Sequence, residues 1–338
     1  MAPAQKIDVH SHFVPPKYKQ QCEENGHSHP DGMPAVPSWT EEAHLEMMDS
    51  LNISKSILSI TSPGTHLVVG NDELGRQITR DCNVYAADLK KRKPSRFGFF
   101  ASTPLPDVQG ALAEIKYAFD ELKADGVALK TNHHGTYLGH RDFEPVFEEL
   151  NRRKAIIFIH PTTPCMANGQ AATPLTDYPR PMFEFLFDTA RAVINLFLSG
   201  TIGRCPNITF IVPHVGGTLP PLINRFSTIP SLLGLSNTDQ QVNPAWVRER
   251  LNSQFYFDTA GWALPEQIKG LLPFVTVDRI LYGTDFPYTP LTGVVALSED
   301  HDRYLSEEFL EEDKQKALCS TNAIRLLKQM PVKTRGES

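Results

Sequence analysis

Short, almost unbroken apolar runs recur along this chain, separated by longer stretches in which apolar residues return every three or four positions. Eight runs read as strands: Ile7–Val9, Lys55–Ile60, Arg96–Ala101, Gly126–Lys130, Ala155–His160, Ile208–Val212, Gln254–Asp258 and Arg279–Tyr282. Runs such as Ile156-Ile157-Phe158-Ile159 lack a polar alternate, which is the pattern of strands covered on both faces. Between the strands, the spacing predicts amphipathic helices over Gln109–Lys123, Phe143–Arg153 and Leu305–Leu327. A strand followed by helix or loop, eight times over, predicts a (β/α)8 TIM barrel, an α/β fold whose chemistry sits at the C-terminal ends of its strands. No internal repeat, low-complexity tract or shift in composition divides the chain. Residues 1–338 are therefore expected to form one barrel domain, with a C-terminal helical segment at about 305–330.

Two connections exceed what a minimal barrel needs. Phe13–Thr40 follows the first strand and carries Pro15, Pro16, Pro30, Pro34 and Pro37, and Pro161–Arg180 follows the fifth and contains Gly169. Long shaped loops at the strand ends are expected to wall or cover a site, or to meet another subunit. Hydrophobic residues make up 41% of the chain, enough for a large core, yet no apolar run is long enough to span a bilayer. The polar start before the first strand has no signal-peptide core, so a cytosolic setting is expected. Cys22, Cys82, Cys165, Cys205 and Cys319 are odd in number and scattered, which argues against a disulfide framework or a zinc finger. A net charge of −6 without a long basic run argues against nucleic acid or an anionic membrane as partner.

The candidate chemistry lies where the strands end. Val9-His10-Ser11-His12 closes the first strand, and residues two apart on a strand point the same way, so both imidazoles can face one cation. Alone, the pair could be a chance feature of a surface strand. The pattern repeats, however: the fifth strand ends Phe158-Ile159-His160-Pro161, the sixth runs through Val212-Pro213-His214 into Val215-Gly216-Gly217, and the eighth reads Leu281-Tyr282-Gly283-Thr284-Asp285. A strand-end His or Asp can cap a loop or helix, but four at one end of a barrel point to a metal site. Imidazoles with a carboxylate suit Zn²⁺, with Mn²⁺, Fe²⁺ or Co²⁺ as alternatives. His27, His29, His44, His66, His133, His134, His140 and His301 are set aside as non-ligands, although His133 and His134 face the same end and can line a pocket.

These residues carry a resemblance. The chain is similar to the amidohydrolase-related, metal-dependent decarboxylases typified by aminocarboxymuconate-semialdehyde decarboxylase and the resorcylate decarboxylases, a branch of the metal-dependent hydrolase superfamily. Within it the chain most resembles the fungal 6-methylsalicylate decarboxylases. The similarity spans nearly the whole chain and includes Glu184-Phe185-Leu186-Phe187-Asp188-Thr189-Ala190-Arg191 and Tyr256-Phe257-Asp258-Thr259-Ala260. It implies one divalent metal ion, Zn²⁺ with Mn²⁺ as the alternative, held by His10, His12, His160 and Asp285, with His214 a nearby acid/base that is not a ligand. It also implies that Arg225 holds a substrate carboxylate, in relatives sometimes across the interface of a homodimer or a dimer of dimers. Lys130 stands where hydrolytic relatives carry a carboxylated, metal-bridging lysine, but Thr131-Asn132 after it resembles the mononuclear branch.

The reaction so implied is non-oxidative decarboxylation of an ortho-hydroxylated aromatic acid, with 6-methylsalicylate giving 3-methylphenol and CO₂. An acid must protonate the ring carbon that carries the carboxylate, and His214 and Asp285 are the candidates. Phe183, Phe185, Phe187, Trp262, Phe286 and Tyr288 are candidates for an apolar wall. Two other classes compete. One is a hydrolase or hydratase of the same superfamily acting on a lactone, amide or enol acid. The other is a barrel that has lost catalysis and only binds, which the intact set of histidines and aspartate argues against.

Overall fold

The computed structural model describes residues 4–165, 177–234, 242–309 and 311–328. Among them, eight parallel strands form one sheet in sequential order: β1 (Lys6–His12), β2 (Ile53–Ser59), β3 (Phe97–Ser102), β4 (Gly126–Lys130), β5 (Ile156–His160), β6 (Thr209–Val212), β7 (Phe255–Asp258) and β8 (Ile280–Leu281). The sheet closes on itself. Asp8 bridges Tyr282 in parallel fashion, Val9 N donates to Tyr282 O at 3.0 Å, and Asp285 N donates to His10 O at 2.8 Å. The expected barrel is present, and each of its strands overlaps the apolar run that predicted it.

Inside the barrel, Val9, Ile57, Phe100, Phe158, Ile211, Tyr256 and Leu281 pack into a core of their own. The C-terminal helix Asn322–Lys328 adds Ala323 and Leu326 to this core and stoppers the end of the barrel where the strands begin. Asn322 Nδ2 anchors the stopper by donating to the carbonyls of Val277 and Ile280, at 3.0 and 2.9 Å. With one mouth filled, the C-terminal ends of the strands remain as the open face. A second, larger core lies between the strands' outer faces and the surrounding helices.

Two helices match their expected spans closely, as Val108–Asp120 and Glu144–Arg152. The segment expected as one helix over Leu305–Leu327 is instead divided. Its first residues end the helix Leu291–Glu308, and the chain resumes with Glu312–Lys316, a π turn over Ala317–Thr321, and the stopper helix. Acidic side chains at Glu307, Glu308, Glu311 and Glu312 crowd the break. Negative charge at a helix C-terminus opposes the helix dipole and at an N-terminus favours it, which suits one helix ending and another beginning there. Of the C-terminal helical segment expected at about 305–330, the part beyond residue 328 lies outside the described residues. No helix among the described residues is long and apolar enough to cross a membrane.

β1 carries a bulge. Asp8 pairs with Ser56 and Ser11 with Leu58, so three steps on β1 face two on β2. A bulge re-aims the side chains beside it, and this one falls at Val9 and His10, where the barrel's chemistry begins.

Candidate metal centre

At the open face, His10, His12, His160 and Asp285 each present one donor atom, and all four atoms lie within 4.8 Å of one another. The three histidines are buried, at 0%, 0% and 3% exposure. Their rings stand edge to face, with centroids 5.0 Å apart for His10 and His12 and 4.9 Å apart for His12 and His160. β1 supplies two of the donors, β5 ends in the third, and the loop leaving β8 brings the fourth. That loop must come close: a Cβ at Gly283 would lie 2.7 Å from the Cβ of His10, so only glycine lets β8 approach β1 here.

The orientation of each imidazole is fixed from behind. His10 Nδ1 lies 3.0 Å from Asp258 Oδ2, His12 Nδ1 lies 3.1 Å from Ser59 O, and His160 Nδ1 lies 2.7 Å from Pro161 O. Carbonyl and carboxylate oxygens only accept, so Nδ1 carries a proton in all three rings and Nε2 is the nitrogen turned to the centre. Metal-binding imidazoles are held in this way. The Nε2 atoms of His10 and His12 lie 3.5 and 3.0 Å from Asp285 Oδ1, yet neither makes a well-directed hydrogen bond to a described residue. His160 Nε2 lies 3.1 Å from Thr61 Oγ1. Three imidazole Nε2 atoms turned to one carboxylate, two of them without a hydrogen-bond partner among the described residues, are a donor set that fits a divalent ion.

The electrostatics agree. Burial opposes charge on His10, but Asp258 and Asp285 outweigh it and lift its pKa to about 10. Burial pushes His12 and His160 down. Burial also works against the Asp285 carboxylate, yet His10 and His12 hold it well below the usual range. The cluster thus draws one positive charge into a buried place.

His214 stands beside these four without joining them. It follows β6 in a left-handed backbone conformation, φ 53°, with its ring centroid 5.1 Å from that of His10. Its backbone N donates to Asp258 Oδ1 at 3.2 Å, and Gln267 Nε2 donates to its carbonyl at 2.5 Å. Nδ1 is buried without a partner among the described residues, and burial lowers the pKa of the ring to about 4. His214 is therefore neutral near pH 7.

Residues 7–329 match the amidohydrolase family. The chain belongs to that family. It is 36% identical over 332 residues to the 6-methylsalicylic acid decarboxylase of Penicillium expansum, covering 96% of this chain and 97% of that protein. The solved structure of an amidohydrolase II shares the fold with a TM-score of 0.85 at 30% identity, over 96% of this chain and 100% of that one. A dihydroxybenzoic acid decarboxylase from Polaromonas sp. JS666, solved with bound manganese and the inhibitor 2-nitroresorcinol, shares it with a TM-score of 0.77 at 20% identity, over 96% and 97%.

Other expected residues fall in different places. Arg225 is exposed on the helix Ile223–Leu232. Lys130 Nζ donates to Ile60 O at 2.5 Å and stays outside the four-donor cluster. Of the aromatic candidates, Tyr288 meets His12 edge-on at 5.6 Å and Phe185 meets His160 at 6.2 Å. Trp262 and Phe187 are instead 76% and 45% exposed, and Phe286 packs on His44. His133 and His134 line a cavity together with His27 and His66, whereas His301 packs on Tyr282 and His29 and His140 are exposed.

Sequence reasoning assigned no role to the residues behind the centre. Asp258 holds both the His10 ring and the His214 backbone. Its signal was available, since Phe255-Tyr256-Phe257-Asp258 is another apolar strand ending in a metal-type side chain. Asp8, fully buried within β1, accepts from Thr284 N at 3.1 Å, Thr284 Oγ1 at 2.7 Å and His10 N at 3.2 Å. Its signal was a lone carboxylate between Ile7 and Val9. Asp188, in the helix Glu184–Leu198, accepts from Thr131 Oγ1, Tyr137 OH and Asn132 Nδ2, pinning the end of β4.

His44, set aside as a non-ligand, supports the centre from below. Trp39 Nε1 donates to its Nδ1 at 2.9 Å, and its Nε2 lies 3.4 Å from Ser11 Oγ. Burial, with the charges of His12 and Arg96, lowers its pKa from 6.5 to about 3. Between those values the unfolded chain takes up a proton that the folded chain refuses, so stability falls as pH drops from 6.5 towards 3. Its share of that loss is at most about 1.4 kcal/mol per pH unit. Unfolding midpoints measured at pH 7 and pH 5 should therefore fall further in the wild type than in His44→Gln. Equal losses would show that His44 does not titrate in this way.

Proposed function

We propose that this protein removes CO₂ non-oxidatively from an ortho-hydroxylated aromatic carboxylic acid, using one divalent metal ion held by His10, His12, His160 and Asp285. The observation that carries the metal assignment is the set of three imidazoles held at Nδ1 with Nε2 turned to one carboxylate. The reaction class is supported by 36% identity, end to end, with a 6-methylsalicylic acid decarboxylase. The donor set favours Zn²⁺. Mn²⁺ is the alternative, as bound in the Polaromonas enzyme that shares the fold.

Bound there, the ion would supply Lewis-acid chemistry towards the oxygens of an ortho-hydroxy acid. The remaining work belongs to the chain. In the net reaction the ring carbon gains a proton and loses its carboxyl group as CO₂, so a proton must be held and released at that carbon. Asp285, an ionised carboxylate facing two imidazoles, has no proton of its own to give. His214 is neutral, with a buried and unpartnered Nδ1 beside His10, and we assign it to relay the proton: it takes the one the ortho hydroxyl releases and passes it to the ring carbon, returning to the neutral ring. Asp258 positions both His10 and His214. Tyr288 and Phe185 give the centre apolar neighbours that favour release of neutral CO₂.

Purified protein loaded with Zn²⁺ or Mn²⁺ should convert 6-methylsalicylate to 3-methylphenol with stoichiometric CO₂. Retained metal with no CO₂ from any ortho-hydroxy aryl acid would return the chain to the hydrolases of its family. Elemental analysis should find one divalent ion per chain, and His12→Ala should lose the ion and the activity together. Two equivalents per chain would overturn the single-ion assignment.

His214→Ala should keep its metal and lose about 10²–10⁴-fold in kcat. A metal-free variant would instead make His214 a ligand.

Arg225 is exposed on its own chain and free to meet a neighbour, so we propose that the active unit is a homodimer or a dimer of dimers in which Arg225 crosses the interface. Arg225→Ala and His12→Ala should each be inactive alone. Subunit exchange between them should restore up to about a quarter of the wild-type sites. No recovery, with exchange confirmed by native mass spectrometry, would leave Arg225 without a shared role.

A further inference from the structure

A cavity of ≈ 200 Å³ adjoins the metal centre on the side of β2 to β5. Its wall begins where the centre ends. Thr61, whose hydroxyl lies 3.1 Å from His160 Nε2, leads directly into Pro63, Gly64 and Thr65, which line the cavity. Thr162, two residues beyond His160, lines it too, and Lys130 is the partner of His160 across the β4–β5 ladder. The proposed reaction uses none of the polar groups inside.

Three of those groups stand out. Lys130 is only 5% exposed, and the carbonyl of Ile60 at 2.5 Å occupies one of its three ammonium donors. Asp31, from the long connection after β1, lines the same space, held by Thr163 N at 3.2 Å and Thr163 Oγ1 at 2.5 Å. Lys130 and Asp31 therefore line one cavity, and the Asp31 charge partly offsets the burial that depresses the Lys130 pKa. His133, 8% exposed, also lines the cavity and has a buried Nε2 without a hydrogen-bond partner among the described residues.

A buried ammonium donor and a half-buried carboxylate acceptor lining one cavity recognise a group that can both accept and donate. A phenolic hydroxyl does so, a methyl group does neither, and a second carboxylate would meet the Asp31 charge. We propose that this cavity is the subsite for a second ring hydroxyl, on the edge of the aromatic acid remote from the metal, with Lys130 donating to its oxygen and Asp31 accepting its proton. This rests on the decarboxylase reading above and narrows it to dihydroxylated acids as preferred substrates. Lys130 thereby gains a specificity role in place of the metal-bridging role of the hydrolytic relatives.

The test compares 6-methylsalicylate with 2,4-dihydroxy-6-methylbenzoate, which differs from it by one hydroxyl para to the carboxylate. In metal-loaded wild type, kcat/KM should favour the dihydroxy acid by roughly 10- to 100-fold, the worth of a hydrogen bond to charged groups. In Lys130→Met the ratio should collapse towards one. Asp31→Asn, whose loop position spares the barrel, should lower the ratio as well should Lys130→Met fail to fold. Titration calorimetry of the two product phenols, 5-methylresorcinol and 3-methylphenol, on the metal-loaded protein reads the same preference without turnover. If neither acid releases CO₂, the decarboxylase reading fails while the phenol affinities still decide the subsite. Equal wild-type affinities, or a Lys130→Met that weakens both ligands alike and leaves their ratio unchanged, would overturn the proposal.

Discussion

The seam between β1 and β8 is the constraint on which the rest of this protein depends. A parallel barrel must join its last strand to its first, and here the join is made around a buried carboxylate. Asp8 accepts from the Thr284 backbone, the Thr284 hydroxyl and the His10 backbone, all inside the protein. Burial lifts its pKa to about 7, against the pull of those hydrogen bonds and of His10. A buried carboxylate left unpaired would cost several kcal/mol, so the hydrogen bonds from Thr284 hold the seam in one register. That register puts Asp285 N on His10 O and sets the Asp285 carboxylate before the His10 and His12 rings.

From the seam, order passes outward through fixed ring orientations. Each imidazole is held by an acceptor supplied by a different strand or loop: Asp258 at the end of β7, Ser59 at the end of β2, and Pro161 just beyond β5. Barrel closure brings these acceptors together, so one cooperative fold aims the three imidazoles. Asp258 does more than the others, because the same carboxylate also binds the backbone of His214. The group proposed to carry the proton and a group proposed to carry the metal thus share one support.

The polar cavity beside the centre follows from the same architecture. The β4–β5 ladder places Lys130 next to His160, and the long connection after β1 crosses the open face to deliver Asp31. That connection therefore helps to wall the site, one of the two roles expected of it. The stopper helix at the other mouth confines binding to this face, since Ala323 and Leu326 fill the space among the strands' first residues.

Much of this was legible in the chain itself. The apolar runs fixed all eight strands, because a strand buried on both faces must be apolar along its length and needs no distant information to be seen. His10, His12, His160 and Asp285 were legible for a related reason: in a parallel barrel the strand direction alone decides at which end a residue lies. The break near residue 310 was not read, since a local apolar period does not register the crowding of acidic charge across a helix end. Only the tertiary structure could give Asp8 and Asp258 their roles, because their partners lie 276 and 248 residues away. The same holds for the meeting of Asp31 with Lys130, and for Arg225, which a motif can mark but only packing turns towards solvent. Periodicity records which face of an element is buried, while the pairing of polar groups in a closed barrel depends on which elements become neighbours, and that is decided by closure.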